Sequence, residues 1–121
     1  MLTIYHYPRC STCKQALAFL DARGAPYNAI DVVAQPPTLE QLRTLHQRSQ
    51  LPIAKLFNTS GESYRRGGFA QKLPKQSEAQ ALAALAADGK LIKRPLIDTG
   101  KSVIVGFSPA AQAALAEALS A

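Results

Sequence analysis

A Cys-x-x-Cys pair at the junction of a strand and a helix constrains this sequence more than any other feature. Residues 2–7 are mostly apolar or β-favouring, which predicts a short strand. Apolar residues then recur at helical spacing until Gly24, and this pattern predicts a helix over residues 11–23. Cys10 and Cys13 therefore lie at the N-terminus of the first predicted helix.

The segments at the two ends of the chain predict a small α/β fold. Residues 27–33 predict a second strand, which completes a β-α-β unit with parallel strands and a right-handed crossover. Residues 96–105 predict a β-hairpin, and Ser108-Pro109 predicts the start of a helix over about residues 109–119. This order of elements matches a thioredoxin-like α/β sandwich with a mixed sheet.

The middle of the chain differs in character from both ends. Thr38 predicts the N-cap of a helix over residues 39–49, and residues 77–88 predict another helix that ends at Gly89. The Gly-, Lys- and Arg-rich segment between them predicts short helical turns. We therefore expect a single domain of 121 residues with a helical insertion over about residues 36–90.

Length, composition and charge exclude several classes of protein. The 121 residues suffice for one compact domain, and 47% hydrophobic residues exclude a disordered chain. No apolar run approaches the roughly 20 residues of a membrane span, and the N-terminus lacks a signal-peptide pattern, so we expect a cytoplasmic protein without a membrane partner. The net charge of +6 favours anionic partners, but scattered basic residues without interleaved aromatics argue against direct nucleic-acid binding.

The position of the cysteines predicts redox chemistry at Cys10. The unpaired N–H groups at a helix N-terminus favour the thiolate and lower the pKa of Cys10 below the roughly 8.5 of a free thiol. Cys13, one turn later, is placed to attack a mixed disulfide or adduct formed on Cys10. Two alternatives are half of a zinc site, although the chain has no second cysteine pair, and two incidental helix cysteines.

Three other residues lie where they would assist this chemistry. His6, four residues before Cys10, would favour the thiolate as a cation or hydrogen-bond donor, but a strand-end histidine without a task is an equal alternative. Arg94-Pro95 directly precedes a predicted strand. A cis proline there would present backbone near the cysteine loop, and the arginine would offer paired N–H donors to an oxyanion or carboxylate. From the spacing alone, a solvated surface arginine explains Arg94 better.

Five short segments together carry a resemblance to a known family. They are Ile4-Tyr-His-Tyr-Pro-Arg-Cys10, Pro36-Pro-Thr38, Leu56-Phe-Asn58, Ile92-Lys-Arg-Pro-Leu-Ile97 and Val105-Gly-Phe107. Through them, nearly the whole chain resembles the arsenate reductase (ArsC)/Spx family of thioredoxin-fold proteins. The resemblance implies the same α/β sandwich and redox chemistry at the cysteine of the first segment.

Glutaredoxin-linked arsenate reductases of that family use one nucleophilic cysteine, which Cys10 matches, and a histidine four residues earlier, which His6 matches. In those enzymes arsenate adds to the thiolate, and glutathione then reduces the adduct. Of the three arginines that cradle the oxyanion there, Arg94 matches one, Asn58 stands in place of another, and the last is also missing. The loss of two charge-assisted contacts predicts weaker oxyanion binding than in those reductases.

Cys13 is a second departure, because those reductases have a serine at this position. In this respect the chain is similar to the Spx branch, whose Cys-x-x-Cys pair acts as a redox switch on a regulator that binds the C-terminal domain of the RNA polymerase α subunit. A third branch consists of small ArsC-like proteins, proposed to be glutathione-dependent thiol reductases, that keep the cysteine and Arg94 without the full arsenate clamp. The sequence resembles this third branch best.

We therefore expect an ArsC-family thiol-disulfide oxidoreductase in which Cys10 is the nucleophile, Cys13 the resolving cysteine and His6 a tuning residue. The expected substrate-binding residues are Arg94, Pro95, Ser11, Thr12 and Asn58. Glutathione is the expected co-substrate, glutaredoxin or thioredoxin the expected recycling partner, and a small oxyanion such as arsenate a further candidate substrate. No metal and no bound cofactor are expected. The alternative is an Spx-like redox-sensing transcriptional regulator that binds the RNA polymerase α subunit.

Overall fold

The structure, a computed structural model, describes residues 1–120. Within them it forms four strands, six α-helices and three 3-10 helices. The strands are β1 Leu2–His6, β2 Tyr27–Asp31, β3 Leu96–Asp98 and β4 Val103–Val105. The helices are α1 Ser11–Ala22, α2 Leu39–Ser49, α3 Glu62–Arg66, α4 Phe69–Lys72, α5 Glu78–Ala87 and α6 Pro109–Ser120, and the 3-10 helices are Ile53–Leu56, Leu73–Lys75 and Gly89–Leu91.

The chain divides into two compact units. The first, called the sheet unit below, comprises Met1–Asp31 and the chain from Arg94 onward. The second, called the helical unit, comprises Val32–Lys93. The helical unit includes the predicted insertion over residues 36–90 and a few residues on each side of it. No helix in residues 1–120 combines the length and the apolar character that crossing a membrane requires.

The sheet unit contains a four-stranded mixed sheet in the order β2-β1-β3-β4. The β1 and β2 strands are parallel, whereas β3 is antiparallel to both β1 and β4, so the predicted β-α-β unit and the predicted hairpin are both confirmed. Ile4 lies opposite Ile97, which lies opposite Ile104. Together with Leu20 of α1 and Leu115 of α6, these side chains belong to one buried cluster. The fold class is therefore an α/β sandwich with a mixed sheet, as the sequence predicts.

The helical unit is organised around two helices that carry the same cap. The side chains of Thr38 and Ser77 each accept a hydrogen bond from the backbone N–H three residues later, and the side-chain oxygen of the glutamine there accepts one from the cap residue's own N–H. These reciprocal capping boxes satisfy donors that a helix end leaves unpaired. The two helices, α2 and α5, pack against each other. Side chains from both helices and from the chain between and after them are fully buried: Leu42, Leu56, Phe57, Leu85 and Ile92.

The second strand is shorter than its prediction, which extended to residue 33. The β2 strand ends at Asp31, and the residues that follow form a turn. The register explains this end, because Asp31 lies opposite His6, the last residue of β1. In the described chain β1 is the sole neighbour of β2 in the sheet, so the pairing of β2 ends where β1 ends.

Gly89 has a different role from the helix-terminating cap that was predicted. The α5 helix ends at Ala87, and Gly89 begins a 3-10 helix after the cap residue Asp88. Its backbone does not adopt the left-handed conformation that favours glycine, which Gly24 at the end of α1 does adopt with a φ of 61°. Instead, a Cβ at Gly89 would overlap the backbone carbonyl oxygen of Val32. Glycine is required here by a close approach between two backbone segments.

Candidate active site

The N-cap of α1 is a cysteine, and its sulfur serves as the capping group. Cys10 has an extended backbone, and its Sγ accepts a hydrogen bond from the Cys13 N–H with an N···S distance of 3.3 Å. The Cys10 N–H donates to the Tyr7 carbonyl at 2.9 Å, and the Cys10 carbonyl accepts from the Lys14 N–H at 3.1 Å. These three bonds hold the half-buried sulfur at the positive end of the helix, as the sequence predicts.

The surroundings of Cys10 favour its thiolate. Burial alone raises the pKa of the thiol, but hydrogen bonds from the Cys13 side chain and backbone N–H lower it. The positive charge of Arg94 and a hydrogen bond from its guanidinium lower it further. The net effect is a Cys10 pKa below the ordinary thiol value. Of the two cysteines, Cys10 is therefore the one whose surroundings favour the thiolate, the reactive form of cysteine.

Cys13 has the opposite character. Its side chain is fully buried, and both cysteines are free thiols. Burial raises the pKa of Cys13 to about 12, and the hydrogen bond and charge of Cys10 contribute to the rise. The Tyr7 backbone and the charge of Arg94 lower the pKa, but by less. The pKa of Cys13 therefore favours its neutral thiol, whereas the lowered pKa of Cys10 favours the thiolate.

Arg94 is half-buried beside the cysteine loop, so the interpretation of it as a solvated surface arginine is wrong. Its Cζ atom lies 4.7 Å from the centroid of the Tyr7 ring. Its Nη1 atom is buried and has no hydrogen-bond partner within residues 1–120. A guanidinium that is partly withdrawn from water acts on a nearby charge more strongly than an exposed one does.

Pro95 follows Arg94 through a cis peptide bond and is buried. Its carbonyl oxygen accepts a hydrogen bond from the Gly106 N–H at 2.8 Å, directly after β4. Since proline has no N–H to donate, the backbone polar group of Pro95 is already bonded within the sheet unit. The backbone of Pro95 therefore has a structural role in the sheet unit, and its predicted contact with substrate stays a prediction.

His6 lies at the last position of β1 and is half-buried. Its Nδ1 atom is buried without a hydrogen-bond partner in the described part of the chain. The groups that shift the pKa of Cys10 are burial, Cys13 and Arg94. The tuning of Cys10 by His6 thus stays a prediction, whereas the structure identifies Arg94 as a source of positive charge at the sulfur.

Ser11 and Thr12 separate the two cysteines and are the first residues of α1. Ser11 is exposed and Thr12 is half-buried. Their backbone N–H groups make no hydrogen bond within residues 1–120, in keeping with the unpaired donors that begin any α-helix. These two donors are available to an anionic group that approaches Cys10.

Asn58 belongs to the helical unit. It follows the bridge between Phe57 and Ile92, and its N–H donates to the Leu91 carbonyl at 2.7 Å. Its carbonyl accepts from the Gly61 N–H at 3.1 Å, which closes a turn. The backbone of Asn58 therefore has a structural role in the helical unit, and its predicted contact with substrate stays a prediction.

Tyr7 is the site residue that the sequence analysis missed. The strand pattern of residues 2–7 predicts only a structural role for Tyr7, yet its carbonyl accepts a hydrogen bond from the Cys10 N–H and its ring faces Arg94. The one available signal was an aromatic residue within the segment that precedes the first cysteine. Nothing in the sequence connects that residue with an arginine at the other end of the chain.

His, Cys, Asp and Glu side chains in residues 1–120 form no group of three that could hold a metal ion.

Comparison with known proteins gives a consistent result. The model of the ArsC family matches residues 5–115. The chain is 46% identical over 106 residues to the uncharacterized protein YusI of Bacillus subtilis, covering 88% of this chain and 90% of YusI. It is 26% identical to an arsenate reductase of Neisseria meningitidis, covering 87% of this chain and 89% of that one. It is 23% identical to the global transcriptional regulator Spx of Listeria monocytogenes, covering 89% and 81% of the two chains.

A solved structure extends the likeness to the fold. The crystal structure of a possible arsenate reductase from Streptococcus mutans superposes with a TM-score of 0.83. The two chains are 44% identical, and the match covers 88% of this chain and 91% of the other.

Proposed function

This chain belongs to the ArsC family, and we propose that it is a thiol-disulfide oxidoreductase that works with glutathione or glutaredoxin. One observation carries the proposal, namely the contrast between the two cysteines of one helical turn. Cys10 is half-buried with a lowered pKa, whereas Cys13 is fully buried with a pKa of about 12. A nucleophile and a resolving thiol need this difference. The nucleophile must ionise near neutral pH, and the resolving cysteine must stay protonated until the mixed disulfide has formed.

The proposed reaction begins with attack by the Cys10 thiolate on a disulfide bond of the substrate. A mixed disulfide forms between Cys10 and one half of the substrate, and the other half leaves as a thiolate that takes up a proton. The Cys10 sulfur then carries no charge and no longer accepts a hydrogen bond from the Cys13 thiol. The hydrogen bond with Cys10 and the negative charge of Cys10, which both raise the pKa of Cys13, are thereby removed.

The second step follows from that change. Cys13 loses its proton to the departing group, attacks the Cys10 sulfur and releases the second half of the substrate as a thiol. The protein now contains a Cys10–Cys13 disulfide, and the substrate has gained two electrons and two protons. Two glutathione molecules, oxidised to one glutathione disulfide, return the pair to its dithiol form.

Arg94 is the proposed anchor for an anionic group of the co-substrate. The positive charge of its half-buried guanidinium and the free N–H groups of Ser11 and Thr12 are suited to one carboxylate of glutathione. Arsenate would need several charge-assisted contacts, and Asn58 is a neutral amide at a position where arsenate reductases have an arginine. We therefore propose that disulfides are better substrates for this chain than arsenate.

The test is NADPH consumption coupled through glutathione reductase, with glutathione and glutaredoxin present. Arsenate and a small disulfide such as hydroxyethyl disulfide are offered separately. We expect turnover of the disulfide, complete loss of this turnover in Cys10→Ser, and a remainder supported by glutathione in Cys13→Ser. Equal rates in the wild type and in Cys10→Ser would contradict the proposal, and efficient arsenate turnover would contradict the substrate preference.

A second candidate function is redox-sensitive regulation of transcription. The likeness to the global transcriptional regulator Spx and the Cys-x-x-Cys pair favour it. On this hypothesis the Cys10–Cys13 disulfide would alter binding to the C-terminal domain of the RNA polymerase α subunit. A pull-down with that domain, under reducing and oxidising conditions, separates the two functions, because a reductase alone would show no specific redox-dependent binding.

A further inference from the structure

Tyr7 contacts the reactive cysteine and its neighbouring cation at the same time. Its carbonyl accepts the hydrogen bond from the Cys10 N–H at 2.9 Å. Its ring lies under the Arg94 guanidinium, with 4.7 Å between Cζ and the ring centroid, well within the roughly 6 Å over which a cation is attracted to an aromatic face. Tyr7 and Arg94 are both half-buried, so this attraction is less weakened by water than it would be on the surface.

The half-buried guanidinium of Arg94 requires a stabilising contact of the kind that the Tyr7 ring supplies. Its Nη1 atom is buried and has no hydrogen-bond partner within residues 1–120. A long, flexible side chain with a partly buried charge would otherwise gain by turning towards water. The groups that hold its guanidinium in place are the negative charge of the Cys10 thiolate and the face of the Tyr7 ring.

We propose that Tyr7 is a positioning residue whose ring holds the Arg94 guanidinium beside the Cys10 sulfur and so favours the thiolate. The titratable and charged groups that act on this sulfur are Cys13, on the same helix, and Arg94, on the segment before β3. Tyr7 acts through the second of these. The inference rests on the proposed function only for its consequence in turnover, since thiolate formation is measurable without any substrate.

The chain offers a matched control at the same position. Within residues 1–120 the Tyr7 hydroxyl makes no hydrogen bond, so Tyr7→Phe keeps the ring and removes no bond. Tyr7→Leu removes the aromatic face and keeps an apolar side chain. The backbone hydrogen bond between residues 7 and 10 is available to both variants, which isolates the ring as the difference between them.

The experiment follows the alkylation of Cys10 by iodoacetamide from pH 5 to pH 10, on the reduced full chain, with mass spectrometry to locate the adduct. We expect Tyr7→Leu to react about three- to tenfold more slowly than the wild type at pH 6.5, a range that follows from the strength of a partly buried cation–π contact. At pH 10, where the thiolate predominates in both, the two rates should converge. Tyr7→Phe should follow the wild-type curve throughout.

A double-mutant cycle with Arg94→Gln tests whether Tyr7 acts through the arginine. Arg94→Gln should slow the reaction at pH 6.5, and Tyr7→Leu should add nothing further in that background. Additive effects, or a Tyr7→Leu curve identical to the wild type, would overturn the inference. So would a Tyr7→Phe curve that matches Tyr7→Leu, or a change in the pH 10 rate alone, which would indicate altered access to the sulfur.

Tyr7→Met provides the same comparison if Tyr7→Leu does not fold, and the far-ultraviolet circular dichroism of each variant shows whether it does. The outcome is also separable from that of the proposed function. An absence of disulfide turnover by the wild type, together with the expected alkylation curves, would overturn the proposed function and leave the role of Tyr7 standing. Normal turnover with unchanged alkylation in Tyr7→Leu would do the reverse.

Discussion

The two units of this chain differ in how they distribute charge. Residues 32–93, the helical unit, contain nine Lys and Arg against four Asp and Glu, whereas the rest of the chain contains five against four. Most of the net charge of +6 is therefore in the helical unit, yet both cysteines are in the sheet unit. The charge that acts on Cys10 is that of Arg94, which is half-buried. For the ionisation of Cys10, the position and burial of one cation therefore matter more than the number of exposed cations.

The two units also differ in the interactions that most constrain their sequences. In the sheet unit, polar groups around the sulfur set the ionisation of two thiols. In the helical unit, capping boxes and a close approach of backbone at Gly89 are the specific features. The reactivity of the cysteines in the sheet unit should therefore depend on pH and on charged side chains. The stability of the helical unit should depend on side-chain volume and on hydrogen-bonded helix caps.

The largest expected effect concerns the two cysteines of the sheet unit. Alkylation requires the thiolate, so the lowered pKa of Cys10 makes its reaction rise at a lower pH than that of a free thiol. Cys13, with a pKa of about 12, should react at least about a thousandfold more slowly at pH 8. Peptide mapping after iodoacetamide treatment measures both rates, and Cys13→Ser reports Cys10 alone. Comparable labelling of both cysteines at pH 8 would remove the asymmetry on which the sheet unit's chemistry depends.

The second-largest effect is expected from a steric change in the helical unit. Gly89→Ala places a Cβ against the Val32 carbonyl, where backbone on both sides prevents relief, and should lower the free energy of unfolding by about 3 kcal/mol or more. Gly24→Ala in the sheet unit is the matched control, because a Cβ there meets open space and is strained only by the positive φ, at a cost of about 1 kcal/mol. Urea unfolding measures both. Equal losses would show that the close approach at Gly89 relaxes.

The smallest effects are expected at the helix caps, which occur in both units. Thr38→Ala and Ser77→Ala should each lower the free energy of unfolding by about 1 kcal/mol. Ser108→Ala, which removes the hydrogen bond to the Ala111 N–H in the sheet unit, should cost a similar amount. Thermal unfolding of the three variants gives the comparison. A much larger loss at one cap would mean that its side chain does more than bind a backbone N–H.

Several features of the site follow from local sequence. A strand followed by a helix places Cys10 at the helix N-terminus, and the spacing of one turn places Cys13 next to it; the structure confirms both. The capping residues Thr38 and Ser77 are equally local, since each bonds to a backbone group three residues away. By contrast, the end of β2 depends on the length of its partner strand, and the requirement for glycine at Gly89 depends on a distant carbonyl.

Local sequence patterns account for the helices, the strands and the place of the cysteine pair, because periodicity, turn residues and helix caps act over a few residues along the chain. Three other features arise only when distant segments meet: Arg94 is half-buried, its charge lowers the pKa of Cys10, and the Tyr7 ring lies beneath its guanidinium. Burial and the distance between charges depend on which distant segments meet. Electrostatic energies follow those two quantities, so the ionisation of Cys10 is a property of the folded chain.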